Sequence, residues 1–285
     1  MNRDAQAGPT GIDPDDAALL MAAIAAEAGR FLAAITDRGA GRIVKSDGTP
    51  STAADRDSER LILDRLADAF PGVPVVAEES ALAHEGGLFF LVDPLDGTKD
   101  YLAGAGEYSV NIALVSGARP ISAAVAAPSL GRVWGAGTTA SAASLPESGA
   151  IGPWRPALVR TAPPGDLVAL TSRRHGDLEG ERCLDQLSVS RRLTVSSAAK
   201  FCLIASGEAD VYVRCGPTME WDTAAGDHIL TRAGGCVVGP GRGPLTYGHA
   251  SSGYLNGPFA ALGSPDLAGR FLLPAEAVNP RRGPS

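Results

Sequence analysis

Asp93-Pro94-Leu95-Asp96-Gly97-Thr98-Lys99-Asp100-Tyr101 follows directly on the apolar run Leu88-Phe89-Phe90-Leu91-Val92. The run predicts a buried strand, which puts Asp93 at its C-terminal end, where Pro94 and Gly97 turn the chain. Two carboxylates three residues apart on one turn, followed by the amides of a Gly-Thr pair, suit a cation beside a phosphate. Glu78-Glu79 closes an earlier short strand, Val75-Val76-Ala77, and Asp222 follows Trp221 at the start of a later predicted helix. Acids at three separate strand or helix ends suggest convergence on one metal site. Hydrolysis of a phosphate monoester needs a nucleophilic water, stabilised charge on the transferred oxygens and a neutralised leaving oxygen. Two divalent ions about 3.5–4 Å apart supply all three. Oxygen donors suit Mg²⁺ better than histidine or cysteine would, so the chemistry expected here is metal-dependent phosphate hydrolysis.

Plainer readings exist for each acid. Asp, Pro and Gly build ordinary surface turns, Glu78-Glu79 could be a solvated strand end, and Asp222 could serve only as a helix cap. An EF-hand loop starting at Asp93 would need Glu at its twelfth position, where Gly104 stands.

The elements that must position these acids follow from pattern. Asp13-Pro14-Asp15-Asp16 opens a helix with an N-cap acid and Pro at its first position. Leu20, Ile24, Ala28, Phe31 and Ile35 make one apolar stripe along it, ended by Gly39. A second helix is predicted from about Thr52 to Phe70, stopped by Pro71-Gly72. Runs at 109–115, 121–127 and 133–137, separated by turn residues, predict a meander beside the strand that ends at Asp93. The second half alternates strand and helix, an α/β pattern. The organisation expected is a tail at 1–12, a first lobe at 13–140 with the metal-binding loop, a linker at 141–166 rich in Ala, Ser, Gly and Pro, a second lobe at 167–273 and a tail at 274–285.

With 285 residues, 45% hydrophobic and 20% charged, the chain has the composition of a soluble globular protein. The net charge of −7 argues against a nucleic-acid polymer as partner; a small phosphorylated substrate stays compatible, because a bound cation reverses the local sign. Cys183, Cys202, Cys215 and Cys236 have no zinc or Cys-x-x-Cys spacing. The acidic N-terminus is unlike a signal peptide, and the apolar stretch from Ala17 is interrupted by Glu27 and Arg30, short of a membrane span. Cytoplasmic location is expected; oligomeric state is left open.

Glu78-Glu79-Ser80, Asp93-Pro94-Leu95-Asp96-Gly97-Thr98 and Trp221-Asp222-Thr223-Ala224-Ala225-Gly226 resemble the three signatures of the inositol monophosphatase superfamily. Gly97-Thr98-Lys99-Asp100-Tyr101, Ser196 through Cys202, Gly216 through Asp222 and Lys45 through Pro50 are similar to its 3′(2′),5′-bisphosphate nucleotidase branch, with Asp100-Tyr101 replacing the commoner Glu-Phe. The resemblance spans about residues 15–263 and implies a layered α/β/α/β/α sandwich with the metal site between two lobes. It assigns one ion to Glu78, Asp93 and the Leu95 carbonyl, and another to Asp93, Asp96 and Asp222, within a site of two or three Mg²⁺. It implies phosphate contacts from Gly97 and Thr98, water activation by Thr98 and Asp55, and support from Glu79. Ser197, Lys200 and Arg214 become candidates for a second phosphate, and His175 for a base, whereas alone each cation would be read as a surface residue. The implied reaction is removal of the 3′-phosphate of adenosine 3′,5′-bisphosphate, with inhibition by Li⁺. Alternatives are an inositol or fructose phosphate phosphatase, or a catalytically silent metal- or nucleotide-binding regulator.

Overall fold

The Asp13 side chain accepts the amides of Asp15 and Asp16 at 2.8 and 3.2 Å, capping α1 (Pro14–Thr36) as its sequence predicts. The computed structural model describes residues 11–36, 42–44, 50–80, 83–84, 86–104, 106–163, 165–173 and 177–278. Gly39, Lys45–Thr49 and His175 lie outside them. The buried face of α1 is wider than the single stripe expected: Met21, Ala22, Ala25, Ala26 and Leu32 are fully enclosed, while Leu20 is 47% exposed. Small alanines let the helix bed into a sheet on one side and a second helix on the other. By length and composition 14–35 is apolar enough to cross a membrane, against the sequence expectation. Half of that window is buried within the fold, and its charges serve as tertiary ties: Glu27 accepts from Arg65 at 2.7 and 3.0 Å, and Arg30 donates to the Pro146 carbonyl at 3.1 Å.

A short antiparallel pair, β1 (Arg42–Val44) and β2 (Pro50–Thr52), leads into α2 (Ala53–Ala69). The first large sheet then contains β3 (Val75–Ala77), β4 (Leu88–Asp96), β5 (Ser109–Ser116), β6 (Arg119–Ala127), β7 (Arg132–Ala136), β8 (Ala140–Ser144) and β9 (Arg155–Pro156), in that spatial order. The one-turn helix α3 (Thr98–Leu102) leaves the end of β4. Strands β8 and β9 lie in the segment read as linker, where small residues fit an edge hairpin as well as a loop. Along β4, Phe90 and Val92 join the core beneath α1 and α2, whereas Phe89 and Leu91 join the core on the opposite face. Burial on both faces explains the unbroken apolar run in the sequence.

The second sheet has the order β11 (Val189–Thr194), β10 (Leu167–Thr171), β12 (Val211–Arg214), β16 (Phe259–Leu262), β14 (Cys236–Val238). A small pair, β13 (Thr218–Met219) with β15 (Leu255–Asn256), lies beside it. Helices α5 (Ala199–Ala205) and α6 (Glu220–Arg232) fill the space between the two sheets, and α4 (Leu178–Asp185) packs on β12. The result is the five-layer α/β/α/β/α sandwich expected. Gly226 shows why the middle layer can be thin: a Cβ there would meet the Phe201 ring at 2.5 Å.

His228 of α6 is 2% exposed, with Nε2 at 3.0 Å from the Gly137 carbonyl, and burial lowers its pKa from 6.5 to about 4. As pH falls through 6.5 the unfolded chain takes up a proton that the folded chain refuses until about 4. Stability attributable to this residue is therefore whole above 6.5 and falls by ~3 kcal/mol towards pH 4. Buried carboxylates with raised pKa act in the opposite sense, so the comparison must be with His228→Gln. Urea unfolding at pH 7 and 4.5 should show a smaller acid loss in that variant, and equal losses would refute the assignment.

Candidate active site

Pro94 has no amide to pair, and the β4–β5 register shifts between Asp93, opposite Asn111, and Asp96, opposite Ser109. This bulge bends the acidic segment locally before pairing resumes at Asp96. The loop is held from within by Leu95 N–H donating to Asp93 Oδ1 at 3.0 Å. Gly97 takes φ 103°, and a Cβ there would meet the Glu107 carbonyl at 2.9 Å, so the turn into α3 requires glycine.

Helix α2 holds the loop from one side. Asp55, Ser58 and Glu59, spaced i, i+3, i+4, are all buried on the same face. Asp55 Oδ1 accepts from the Thr98 hydroxyl at 3.1 Å, which joins the two residues expected to act on water. The same hydroxyl stands 3.2 Å from the Leu95 carbonyl. Ser58 donates to the Pro94 carbonyl at 3.0 Å, and Glu59 accepts the Glu79 amide at 2.8 Å. Ser58 and Glu59 went unnoticed in the sequence, although their helical spacing from Asp55 was a readable signal.

Four carboxylates come near one another, Glu78, Asp93 and Asp96 from strand ends and Asp222 from the start of α6. Asp93, 1% exposed, has its pKa raised well above the ordinary carboxylate range by burial, then by the charges of Glu78, Asp96 and Asp222. Asp222 is half-buried at the cavity edge, yet enclosure and the Asp96 charge push it up to about 8. It is the third residue of α6, and its Oδ2 accepts the Met219 amide at 2.9 Å, so it caps the helix and faces the other acids at once. Burial also raises Asp96, opposed by the Lys200 charge. Among the described residues no three acids, histidines or cysteines form a closed ligand cluster. Burial and neighbouring like charge nonetheless raise the carboxyls of Asp93 and Asp222.

Behind Asp222, the α6 N-terminus is anchored by Glu220. Its buried carboxylate accepts the amides of Gly248 and His249 at 2.6 and 2.9 Å and lies 2.6 Å from His249 Nδ1. His249 thus has a partner that its sequence context did not reveal.

A cavity of about 310 Å³ opens between the sheets, lined by Glu78, Asp96, Gly97 and Thr98 from one side and by Ser197, Lys200, Arg214 and Asp222 from the other. Lys200 and Arg214 are 4% and 8% exposed, which overturns the surface-cation reading. The Lys200 ammonium donates to the carbonyls of Ser197 and Val195 at 2.7 and 3.2 Å and lies 4.8 Å from the centre of the Tyr212 ring. Burial lowers its pKa to about 8, against the pull of Asp96. Arg214 Nη2 reaches the Pro217 carbonyl at 3.4 Å, while its buried Nε has no partner among the described residues. Arg173 lines the cavity and pairs with Glu107.

A buried acidic strand end, a paired threonine and aspartate and two enclosed cations stand around one cavity of an α/β/α/β/α sandwich. Residues 15–262 match the model of the inositol monophosphatase family, and the chain belongs to that family. The 3′(2′),5′-bisphosphate nucleotidase CysQ of Escherichia coli (strain K12) is 39% identical to it over 72% of this chain and 82% of the relative. A Nus factor SuhB of Xylella fastidiosa is 30% identical over 68% of this chain and 70% of that protein. Among solved structures, CysQ from Bacteroides thetaiotaomicron is 31% identical with a TM-score of 0.72, covering 87% of this chain and 97% of that one. SuhB from Bartonella henselae, at 22% identity and the same TM-score of 0.72 over 90% and 98%, shares the fold.

Proposed function

We propose that the protein is a Mg²⁺-dependent 3′(2′),5′-bisphosphate nucleotidase that hydrolyses adenosine 3′,5′-bisphosphate to AMP and phosphate. Its sulfated form, 3′-phosphoadenosine 5′-phosphosulfate, is a second substrate. The observation that carries this reading is the pair of buried cations, Lys200 and Arg214, in one cavity with the carboxylates. A substrate with one phosphate at metal ions held by the acids and a second at the cations would satisfy both charges. The cavity of about 310 Å³ also lies in the range of small-ligand sites. The nucleotidase relatives support the same substrate.

The donor set fits Mg²⁺. It consists of oxygen alone, and burial together with like charge raises the Asp93 carboxyl, a repulsion that a cation relieves. Glu78, Asp93 and the Leu95 carbonyl would hold one ion, and Asp93, Asp96 and Asp222 another, in a site of two or three. Bound there, the ions supply an activated water and neutralise charge on the transferred and leaving oxygens.

The protein's own residues do the rest. Thr98 donates to Asp55 and keeps its oxygen free to accept from water, while Glu79 supports Glu78 beside it. The amides of Gly97 and Thr98 bind phosphate oxygens, and Ser197, Lys200 and Arg214 hold the second phosphate. His175, proposed for the base, lies outside the described residues. The free cysteines fit a reducing, cytoplasmic setting.

A phosphate-release panel tests the proposal. Adenosine 3′,5′-bisphosphate should exceed inositol 1-phosphate and fructose 1,6-bisphosphate in kcat/KM, chelation should abolish turnover, and Mg²⁺ should restore it. Preference for the inositol ester would move the chain to another branch of its family. No release from any ester would favour a silent regulator.

A further inference from the structure

One turn of the second lobe, 195–198, is gripped by three carboxylates of the first. Asp100 Oδ2 accepts the Ser196 hydroxyl at 2.6 Å, Glu107 Oε2 accepts the Ser196 amide at 3.1 Å, and Asp96 Oδ2 accepts the Ala198 amide. Between these points Ser197 is left-handed, with φ 65°. A non-glycine residue keeps that conformation only where its surroundings hold it. The turn also faces the cavity from within, since the carbonyls of Val195 and Ser197 take the Lys200 ammonium.

The three grips differ in quality. Glu107 is half-buried and shared with the exposed Arg173. Asp100 and Ser196 are 5% and 7% exposed, so their bond is made away from competing water. Asp96 is the acceptor that must also face an ion.

We infer that Asp100 is a positioning residue: through Ser196 it fixes the turn that aims the Asp96 carboxylate and the Lys200 ammonium into the cavity. This rests on the metal-dependent bisphosphate reading. Asp100 borders the cavity but is not among the proposed ligands; it acts by holding the Ala198 amide on Asp96 and the Ser197 carbonyl on Lys200. A plain lobe-to-lobe staple would change thermal stability and nothing at the cavity. A support for a metal ligand changes metal affinity by about ten- to hundredfold when lost.

The test is Mn²⁺ binding without substrate, read from the paramagnetic resonance of free Mn²⁺, on the full chain. Asp100→Ala and Ser196→Ala should each weaken Mn²⁺ binding about tenfold. The double variant should be no weaker than either single one, because all three lack the same bond. Asp100→Asn, which keeps an acceptor oxygen in place, should recover most of the affinity. KM for adenosine 3′,5′-bisphosphate should rise alongside. If Asp100→Ala does not fold, Ser196→Ala breaks the same bond from the other side and decides the matter. Unchanged Mn²⁺ affinity in folded Ser196→Ala overturns the inference and leaves the functional reading intact. A wild-type protein that binds Mn²⁺ but releases no phosphate from the nucleotide overturns the functional reading, while the variants still decide Asp100. A wild-type protein that binds no Mn²⁺ overturns both.

Discussion

Asp93→Asn should lose at least ~10²-fold in kcat, the share of transition-state charge that one ion neutralises, and yet, in the metal-free protein, unfold at a higher temperature. The two effects share one cause. Asp93 is 1% exposed and its charged form is opposed first by burial, then by Glu78, Asp96 and Asp222. Asparagine keeps the oxygen that accepts the Leu95 amide and removes the charge. Relief of this kind raises the unfolding temperature of the metal-free protein. Asp96→Asn is the contrast: it should lose turnover to a similar degree without the gain, since it strips Lys200 of a counter-charge. Phosphate release and calorimetry on metal-free and Mg²⁺-loaded protein read both quantities. Near-normal turnover in folded Asp93→Asn would remove the residue from the proposed ligands. A lower unfolding temperature would show that its charge is compensated in the fold.

Arg214→Ala should raise KM for adenosine 3′,5′-bisphosphate about ten- to hundredfold and change kcat little. A contact that persists unchanged through the reaction contributes uniform binding, and a charge-assisted hydrogen bond to phosphate is worth ~1.5–3 kcal/mol. Arg214 is a sharper probe than Lys200. The Lys200 ammonium already serves two carbonyls of the 195–198 turn, so its removal disturbs that turn as well. Arg214 Nε is buried with no partner among the described residues, the condition of a donor kept for a ligand. Gly216 beside it preserves the space, since a Cβ there would stand 3.3 Å from the guanidinium. The decisive comparison is with 3′-AMP, which lacks the second phosphate and should show a much smaller loss. Equal losses on the two substrates would make Arg214 a structural cation and shift the second-phosphate subsite elsewhere.

The sequence by itself determined what is local. The run Leu88–Val92 had to be a strand buried on both faces, Asp13 and Pro14 had to begin a helix, and Pro94 with Gly97 had to turn the chain just where two acids stand. Those features depend on propensity, on periodicity and on a backbone conformation open to glycine, all properties of a few neighbouring residues. The family signatures extended this to the five-layer fold and to the order of the acids. Tertiary structure decided how the distant groups meet. It placed Lys200 and Arg214 inside, because burial depends on which sheet covers a residue and not on its type. It turned 140–156 into the edge of the first sheet, because strand pairing repays small residues that look like linker in isolation. It brought Ser196 to Asp100 and His249 to Glu220, bonds between residues 96 and 29 positions apart that no local pattern encodes. The acids were legible because their chemistry is written in their side chains. The grip on the 195–198 turn was not, because a hydrogen bond between residues so far apart in sequence exists only once the two sheets have packed around the cavity.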